Sequence, residues 1–140
     1  GGGLAGAAGG RPDWAVACRL CRRPWVQCCV GAVALTGWDL FLDPQMVHEG
    51  YWTWPHGGAY RGIPLSNFAG WFLVALVVMG VLQLVVPSLD SATLAGVYLL
   101  MSVMEIVGFG VFFSDLLVAV VGGLVCLPLA VAAVFRRGYM

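Results

Sequence analysis

Residues 92–135 read ATLAGVYLLMSVMEIVGFGVFFSDLLVAVVGGLVCLPLAVAAVF, an apolar stretch of 44 residues whose only charged members are Glu105 and Asp115. A helix needs about 20 apolar residues to cross the hydrocarbon core of a bilayer, so this stretch is long enough for two spans. The pair Ser114-Asp115 interrupts the stretch near its middle and predicts a hinge there. We therefore expect membrane spans at 92–113 and 116–135.

The rest of the chain has the same apolar character. Hydrophobic residues make up 61% of the sequence and charged residues only 10%, well below the roughly 25% that is usual for soluble domains. Pro24 indicates a helix start. Pro44 indicates a helix end, because proline lacks the amide hydrogen and disfavours a helical conformation at the residue before it. We expect a first span at 25–43, a loop at 44–67 and a second span at 68–86.

These spans predict an all-α fold, a polytopic membrane bundle of about four transmembrane helices with one aromatic-rich interfacial loop. Residues 1–24 are glycine-rich and then basic, and we interpret them as a disordered low-complexity segment or a truncation point that precedes a membrane domain at 25–140. Arginines flank both ends of that domain, and such residues favour the cytoplasmic side. We expect an integral protein of the cell membrane with both termini in the cytoplasm. The flanking residues are Arg19, Arg22, Arg23, Arg136 and Arg137.

Charge and cysteine content argue against several classes of function. The formal net charge is zero and the chain has no lysine, so a nucleic-acid partner is not expected. Cys18 and Cys21 resemble half of a metal or redox site, but a structural zinc needs a second ligand pair, and the adjacent Cys28 and Cys29 point in different directions. We interpret the cysteines as small reduced thiols and expect no metal and no cofactor.

Most of the polar chemistry lies in and beside the loop. Asp39 and Asp43 are four residues apart, so both carboxyl groups lie on one helix face if the helix reaches Asp43. Like charges in a poorly hydrated site favour retention of a proton on one of them, which is what acid catalysis on an alkene requires. The alternative remains open that Asp39 binds a neighbouring helix and Asp43 closes the turn at Pro44. Asn67 is a candidate helix cap, as is Ser66, or a hydrogen-bond donor to Asp39.

The loop region also carries many aromatic residues and the pair His48-Glu49. His48 and Glu49 are candidates to relay protons or position a water, although a solvated pair is an equal alternative. The aromatic rings suit an interfacial belt, or they line a groove for a long apolar substrate and stabilise a carbocation by about 0.5–2 kcal/mol each. The candidate substrate-binding residues are these aromatic residues and one amide: Trp38, Tyr51, Trp52, Trp54, Tyr60, Trp71 and Asn67.

Glu105 stands alone in the third predicted span. An ionised carboxylate in mid-membrane costs at least about 2.5–3.5 kcal/mol, so this group must be neutral, paired or next to a wet cavity. The Asp39 cluster and Arg61 are its candidate partners. Small residues along the spans would allow close helix packing.

Three segments together resemble the integral-membrane carotenoid hydratases, the group with bisanhydrobacterioruberin hydratase and gamma-carotene 1',2'-hydratase. The resemblance covers roughly residues 30–86 and implies that the chain is the carboxy-terminal portion of a longer enzyme. It implies addition of water to the terminal double bond of an acyclic carotenoid end group, which gives a tertiary alcohol. The segments are Trp38-Asp39-x-x-x-Asp43-Pro44-x-Met46-Val47, Gly50-Tyr51-Trp52-x-Trp54 and Tyr60-x-Gly62-Ile63-Pro64-x-Ser66-Asn67-Phe68-x-Gly70-Trp71.

The resulting hypothesis is a cofactor-independent hydro-lyase whose partners are an acyclic polyene, water and the lipid bilayer. Asp39 donates a proton, the cation forms beside Trp38, Trp52 or Trp54, and a water held by Asp43, His48 or Glu49 adds to it. Two other classes stay open. One is a non-catalytic membrane subunit that binds carotenoid or lipid, and the other is a small proton-coupled transporter that uses Glu105 and Asp39 as a relay.

Overall fold

The computed structural model describes residues 23–86 and 91–135, and these form an all-α helical bundle without a named β-strand. The four helical segments are each long and apolar enough to cross a membrane, which confirms the predicted fold class. The predicted segment 1–24 lies outside the described residues except for its last two positions, as do residues 87–90 and the arginines at 136–137. The helices are α1 (Pro24–His48), α2 (Leu65–Val85), α3 (Ser91–Val107), which continues as a π-helical turn (Gly108–Phe112), and α4 (Leu116–Phe135).

Helix α1 does not end before Pro44. It continues through Pro44 to His48, so the expected end of the first span at residue 43 and the expected start of the loop at residue 44 are wrong. Pro44 has no amide hydrogen for the Leu40 carbonyl oxygen four residues earlier. The Tyr60 hydroxyl donates a hydrogen bond of 2.9 Å to that oxygen instead. The loop therefore supplies the donor that the proline removes, and the helix tolerates Pro44.

Helix α2 begins three residues earlier than expected, at Leu65. Its N-cap residue is Pro64, whose extended backbone (φ −72°, ψ 144°) precedes the first turn without a side-chain cap. Neither Ser66 nor Asn67 is the cap, because both lie inside that turn. The Asn67 amide hydrogen instead bonds to the Pro64 carbonyl oxygen at an N···O distance of 3.0 Å, and the Asn67 side chain is directed toward α1.

The core lies where α1, α3 and α4 meet. The Phe41 ring of α1 is 1% exposed, lies 5.8 Å from the ring centre of Phe109, and rests against the backbone of Gly122 in α4. A side chain larger than hydrogen at residue 122 would overlap this ring, so Gly122 allows the two helices to approach closely. The buried core cluster is Phe41, Phe109, Val118, Ala119 and Cys126.

Hydrogen bonds between helices add to this packing inside the apolar bundle. The Tyr98 hydroxyl of α3 donates to the Ala34 carbonyl oxygen of α1 at 2.9 Å. The Gln83 side chain of α2 donates to the Pro24 carbonyl oxygen at 3.0 Å, near the start of α1. A polar group without a partner is costly in hydrocarbon, so these bonds stabilise the contacts between the helices.

The connection between α3 and α4 is tied to the loop. The Asp115 carboxylate accepts a hydrogen bond of 3.2 Å from the Val118 amide, and thus caps α4, and it forms an ion pair of 2.5 Å with Arg61. Partial burial raises the pKa of Asp115, but the Arg61 guanidinium and the amides of α4 outweigh this and lower the pKa overall. Arg61 and Ser114 both adopt positive φ, 48° and 53°. The loop and the α3–α4 connection are therefore held together at one end of the bundle.

Candidate functional site

The two aspartates predicted as a cluster lie on the face of α1 that meets α2. Asp43 is only 2% exposed, and the Asn67 side-chain amide donates a hydrogen bond to its carboxylate. Asp39 is half-buried, close enough to Asp43 for the two charges to interact. In the part of the chain that the structure describes, Asp39 accepts no side-chain hydrogen bond. The expected alternative pairing of Asn67 with Asp39 is wrong, since Asn67 engages Asp43.

Tyr60 supports this site from the loop. Its ring packs edge-on against Phe68 of α2, with ring centres 5.6 Å apart, while its hydroxyl bonds to α1. Burial, with the nearby Asp115 charge, raises the pKa of Tyr60 to about 12. The phenol is therefore neutral at physiological pH and remains a hydrogen-bond donor. These contacts give Tyr60 a structural function, and its role in substrate binding stays a prediction.

An apolar groove of about 140 Å³ lies between α1, α2 and α4. Thr36 and Leu40 line it, and each is three residues before one of the two aspartates, so the groove and the carboxyl groups occupy neighbouring faces of α1. The Thr36 hydroxyl is occupied by a 2.8 Å bond to the Ala32 carbonyl oxygen and does not make the groove polar. The lining residues are Val33, Thr36, Gly37, Leu40, Phe72 and Val125.

His48 and Glu49 do not join the aspartate pair. Both are exposed, and they line a separate pocket of about 210 Å³ between the end of α1 and the α3–α4 connection. His48 is five residues after Asp43, which places the two side chains on well-separated faces of the helix. Their proposed roles as proton relay or water ligand stay predictions, and the geometry favours a role at this second pocket.

A second polar cluster surrounds Glu105, and its members differ from the partners expected from the sequence. The Gln45 side-chain amide donates to the Glu105 carboxylate at 3.4 Å, and the Trp38 indole lies close to that group. Neither expected partner of Glu105 is correct, because Arg61 pairs with Asp115 and the Asp39 cluster faces α2. Trp38 and Gln45 are seven residues apart, which is about two helical turns, so both side chains lie on one face of α1. This spacing could have indicated a polar face for Glu105 from the sequence.

The other aromatic candidates lie at the surface of the bundle. Tyr51 is 74% exposed and Trp71 44% exposed, as suits side chains at a membrane interface. Trp54 is half-buried, and its indole nitrogen has no hydrogen-bond partner within residues 23–86 and 91–135. The substrate-binding roles of these residues, and that of the exposed Trp52, remain predictions.

The described residues contain no group of three or more His, Cys, Asp or Glu side chains that could hold a metal ion. The site is thus defined by two carboxyl groups, an amide and an apolar groove, within a bundle of membrane-spanning helices.

A comparison with protein families assigns the chain to a family. The family model described as "Carotenoid biosynthesis protein" matches residues 14–138, which is almost the whole chain. The chain belongs to this family of carotenoid biosynthesis proteins. No curated protein and no solved structure shows a significant match to the chain.

Proposed function

We propose that the protein is a carotenoid hydratase, which adds water to the terminal double bond of an acyclic carotenoid end group and gives a tertiary alcohol. One observation carries this proposal: Asp39 and Asp43 lie on the face of α1 next to the face that lines an apolar groove, and Asp43 is almost fully buried. Family membership supports a carotenoid as the substrate. A carboxylic acid beside an apolar groove is suited to protonate an otherwise unreactive alkene.

The proposed reaction needs one proton donor and one water. Asp39 in its protonated form transfers its proton to the less substituted alkene carbon, and a tertiary cation forms at the other carbon. Water adds to that cation and then returns a proton to the Asp39 carboxylate, so the acid is regenerated. Asp43, held by Asn67, positions the reacting groups. Phe72 lines the groove, and we propose that its ring stabilises the cation.

Hydration leaves the number of electrons unchanged, so the reaction requires no redox cofactor. We therefore propose a cofactor-independent hydro-lyase. The reaction proceeds within the membrane because the polyene partitions into lipid, and only its end group has to reach the carboxyl groups. Orientation is proposed from the arginines, which favour cytoplasmic termini in a cell membrane. Reporter fusions at residue 140 in intact cells would test that orientation.

The test of function is pigment analysis in a heterologous host. The complete natural protein is co-expressed with an acyclic carotenoid pathway, and pigments are separated and weighed for the gain of one water. Asp39→Asn should reduce hydroxylated pigment by about 100-fold or more, which is the usual contribution of a positioned general acid. Gly96→Ala is the control, since this residue of α3 lines neither pocket and a methyl group there meets no atom within 4 Å. Unchanged hydroxylated pigment with Asp39→Asn would remove Asp39 as the proton donor.

The same groove also suits a non-catalytic subunit that binds carotenoid. That function predicts pigment that co-purifies with the protein in unaltered form, in the native sequence and in Asp39→Asn alike. A proton-coupled transporter is a third possibility and predicts substrate flux into liposomes without any change in pigment. Pigment analysis and flux measurements on one preparation separate all three.

A further inference from the structure

The pocket at the end of α1 lies on the same side of the bundle as the aromatic loop. Its volume of about 210 Å³ exceeds the share of a single water, about 30 Å³, so it has room for several water molecules. Its lining combines ionisable side chains, which favour hydration, with two aromatic rings. The lining residues are Pro44, Gln45, Met46, His48, Glu49, Phe109, Phe113 and Asp115.

Gln45 connects this pocket to the membrane interior. Its side chain lines the pocket, and its amide also donates to the Glu105 carboxylate. Phe109, another lining residue, is four residues after Glu105, so Glu105 lies on the same face of α3 one turn deeper. Seven residues separate Glu105 from the end of its span at Phe112, which corresponds to a depth of about 10 Å.

The backbone changes at the same place. The α-helix gives way to a π-helical turn at Gly108–Phe112, directly after the turn that carries Glu105. Turns of this kind are rare and often accompany functional sites. Glu105 is half-buried, with Gln45 and Trp38 as its polar neighbours, and a carboxyl group at this depth requires a partner or a wet cavity. Gln45 is such a partner, and the pocket, one helical turn closer to the loop, is a cavity with room for water.

We propose that this pocket is a water-filled access path from the loop side of the membrane to Glu105, with Gln45 at its inner end. The path brings water or hydronium to the carboxyl group of Glu105. This group lies beside Trp38, the residue of α1 that directly precedes Asp39. The role of this path as the source of water for carotenoid hydration rests on the proposed function. The accessibility of Glu105 to water does not depend on that function and can be measured without any pigment.

The experiment is cysteine accessibility in liposomes, with the full chain and its five native cysteines replaced by alanine. Glu105→Cys is compared with Met104→Cys, which lies at the same depth but is 60% exposed on the outer surface of α3. The probe is a membrane-impermeant methanethiosulfonate. The reagent reacts with the thiolate, and only a hydrated thiol ionises readily. Because each unit of pKa changes the thiolate fraction tenfold, the thiol of Glu105→Cys should react at least about tenfold faster than that of Met104→Cys. Equal rates would overturn the proposal.

A blocking variant makes the test specific to the pocket. Adding Gln45→Trp to Glu105→Cys fills the inner end of the pocket and should slow the reaction to the rate of Met104→Cys. An undiminished rate would show that the reagent arrives by another route and would overturn the assignment to this pocket.

Chemical labelling of the native sequence covers the case in which Glu105→Cys does not fold. A water-soluble carbodiimide with glycine methyl ester should convert Glu105 to its amide, as located by peptide mass spectrometry. The exposed Glu49 at the pocket rim is the internal control. An unmodified Glu105 after complete modification of Glu49 would overturn the proposal, whatever the pigment assay shows about Asp39.

Discussion

The Tyr60 hydroxyl donates a 2.9 Å hydrogen bond to the Leu40 carbonyl oxygen, the acceptor that Pro44 leaves without a helical donor. This bond connects the loop to α1 between the two aspartates. It allows the helix to continue past the proline, and it keeps Asp43 in a regular helical position. The geometry of the candidate site therefore depends on a residue that lies outside both helices that form it.

Tyr60→Phe should destabilise the protein by about 1–3 kcal/mol, because the Leu40 carbonyl oxygen loses its donor while it stays buried. The measurement is SDS-induced unfolding in detergent micelles. Pro44→Ala restores an amide hydrogen at residue 44, so Tyr60→Phe should cost clearly less in that background. Equal costs in the two backgrounds would show that the bond does not compensate for the proline. Tyr51→Phe, at an exposed residue, is the control.

Asn67→Leu should reduce both stability and the proposed hydratase activity, since it leaves the Asp43 carboxyl group buried without its hydrogen-bond donor. The expected cost is about 1–3 kcal/mol in unfolding free energy. The double variant Asp43→Leu and Asn67→Leu removes both polar groups and should recover part of that stability, although not the activity. If the double variant were less stable than Asn67→Leu alone, the Asp43 carboxyl group would stabilise the protein through a contact other than its hydrogen bond with Asn67.

Gly122→Ala should destabilise the bundle by about 1–3 kcal/mol, because the added methyl group would overlap the Phe41 ring. Gly96→Ala is the matched control, since a methyl group there meets no atom within 4 Å. That variant should be neutral or slightly stabilising, as alanine favours helix over glycine. Phe41→Leu added to Gly122→Ala should relieve part of the overlap. Both unfolding free energies are measured in the same detergent.

The ion pair between Arg61 and Asp115 should make stability depend on acid pH. The lowered pKa of Asp115 means that its stabilising effect is fully present above the ordinary value of 3.8 and is lost as the pH falls through the lower folded value. Asp115→Asn keeps a helix-capping side chain but no charge, so its stability should fall less between neutral pH and pH 3. Because the pair is partly exposed, the expected difference is about 0.2–1 kcal/mol.

Arg61→Asn is the companion variant for this pair, since asparagine tolerates the positive φ at residue 61. It should reduce stability at neutral pH by the same small amount as Asp115→Asn, and the double variant should lose no more than either one. Added salt should weaken the pair in the native sequence. Additive effects of the two substitutions would contradict a direct interaction.

Hydropathy and helix length were enough to predict the four spans, because the length of an apolar run is a local property that the thickness of the bilayer selects. The four-residue spacing of Asp39 and Asp43 likewise predicted their shared helix face. The end of α1 was not predictable from Pro44 alone. It depends on the Tyr60 hydroxyl, a donor sixteen residues further along the chain.

The sequence by itself determined that the chain is an all-α membrane bundle with its polar chemistry near one loop, since composition and spacing act locally. Only the tertiary structure decided the partners: Asn67 for Asp43, Gln45 for Glu105 and Arg61 for Asp115. The reason is physical. In an apolar bundle each buried polar group binds whichever partner helix packing brings within hydrogen-bond distance, and that proximity depends on contacts such as Phe41 on Gly122, which join residues far apart in the chain.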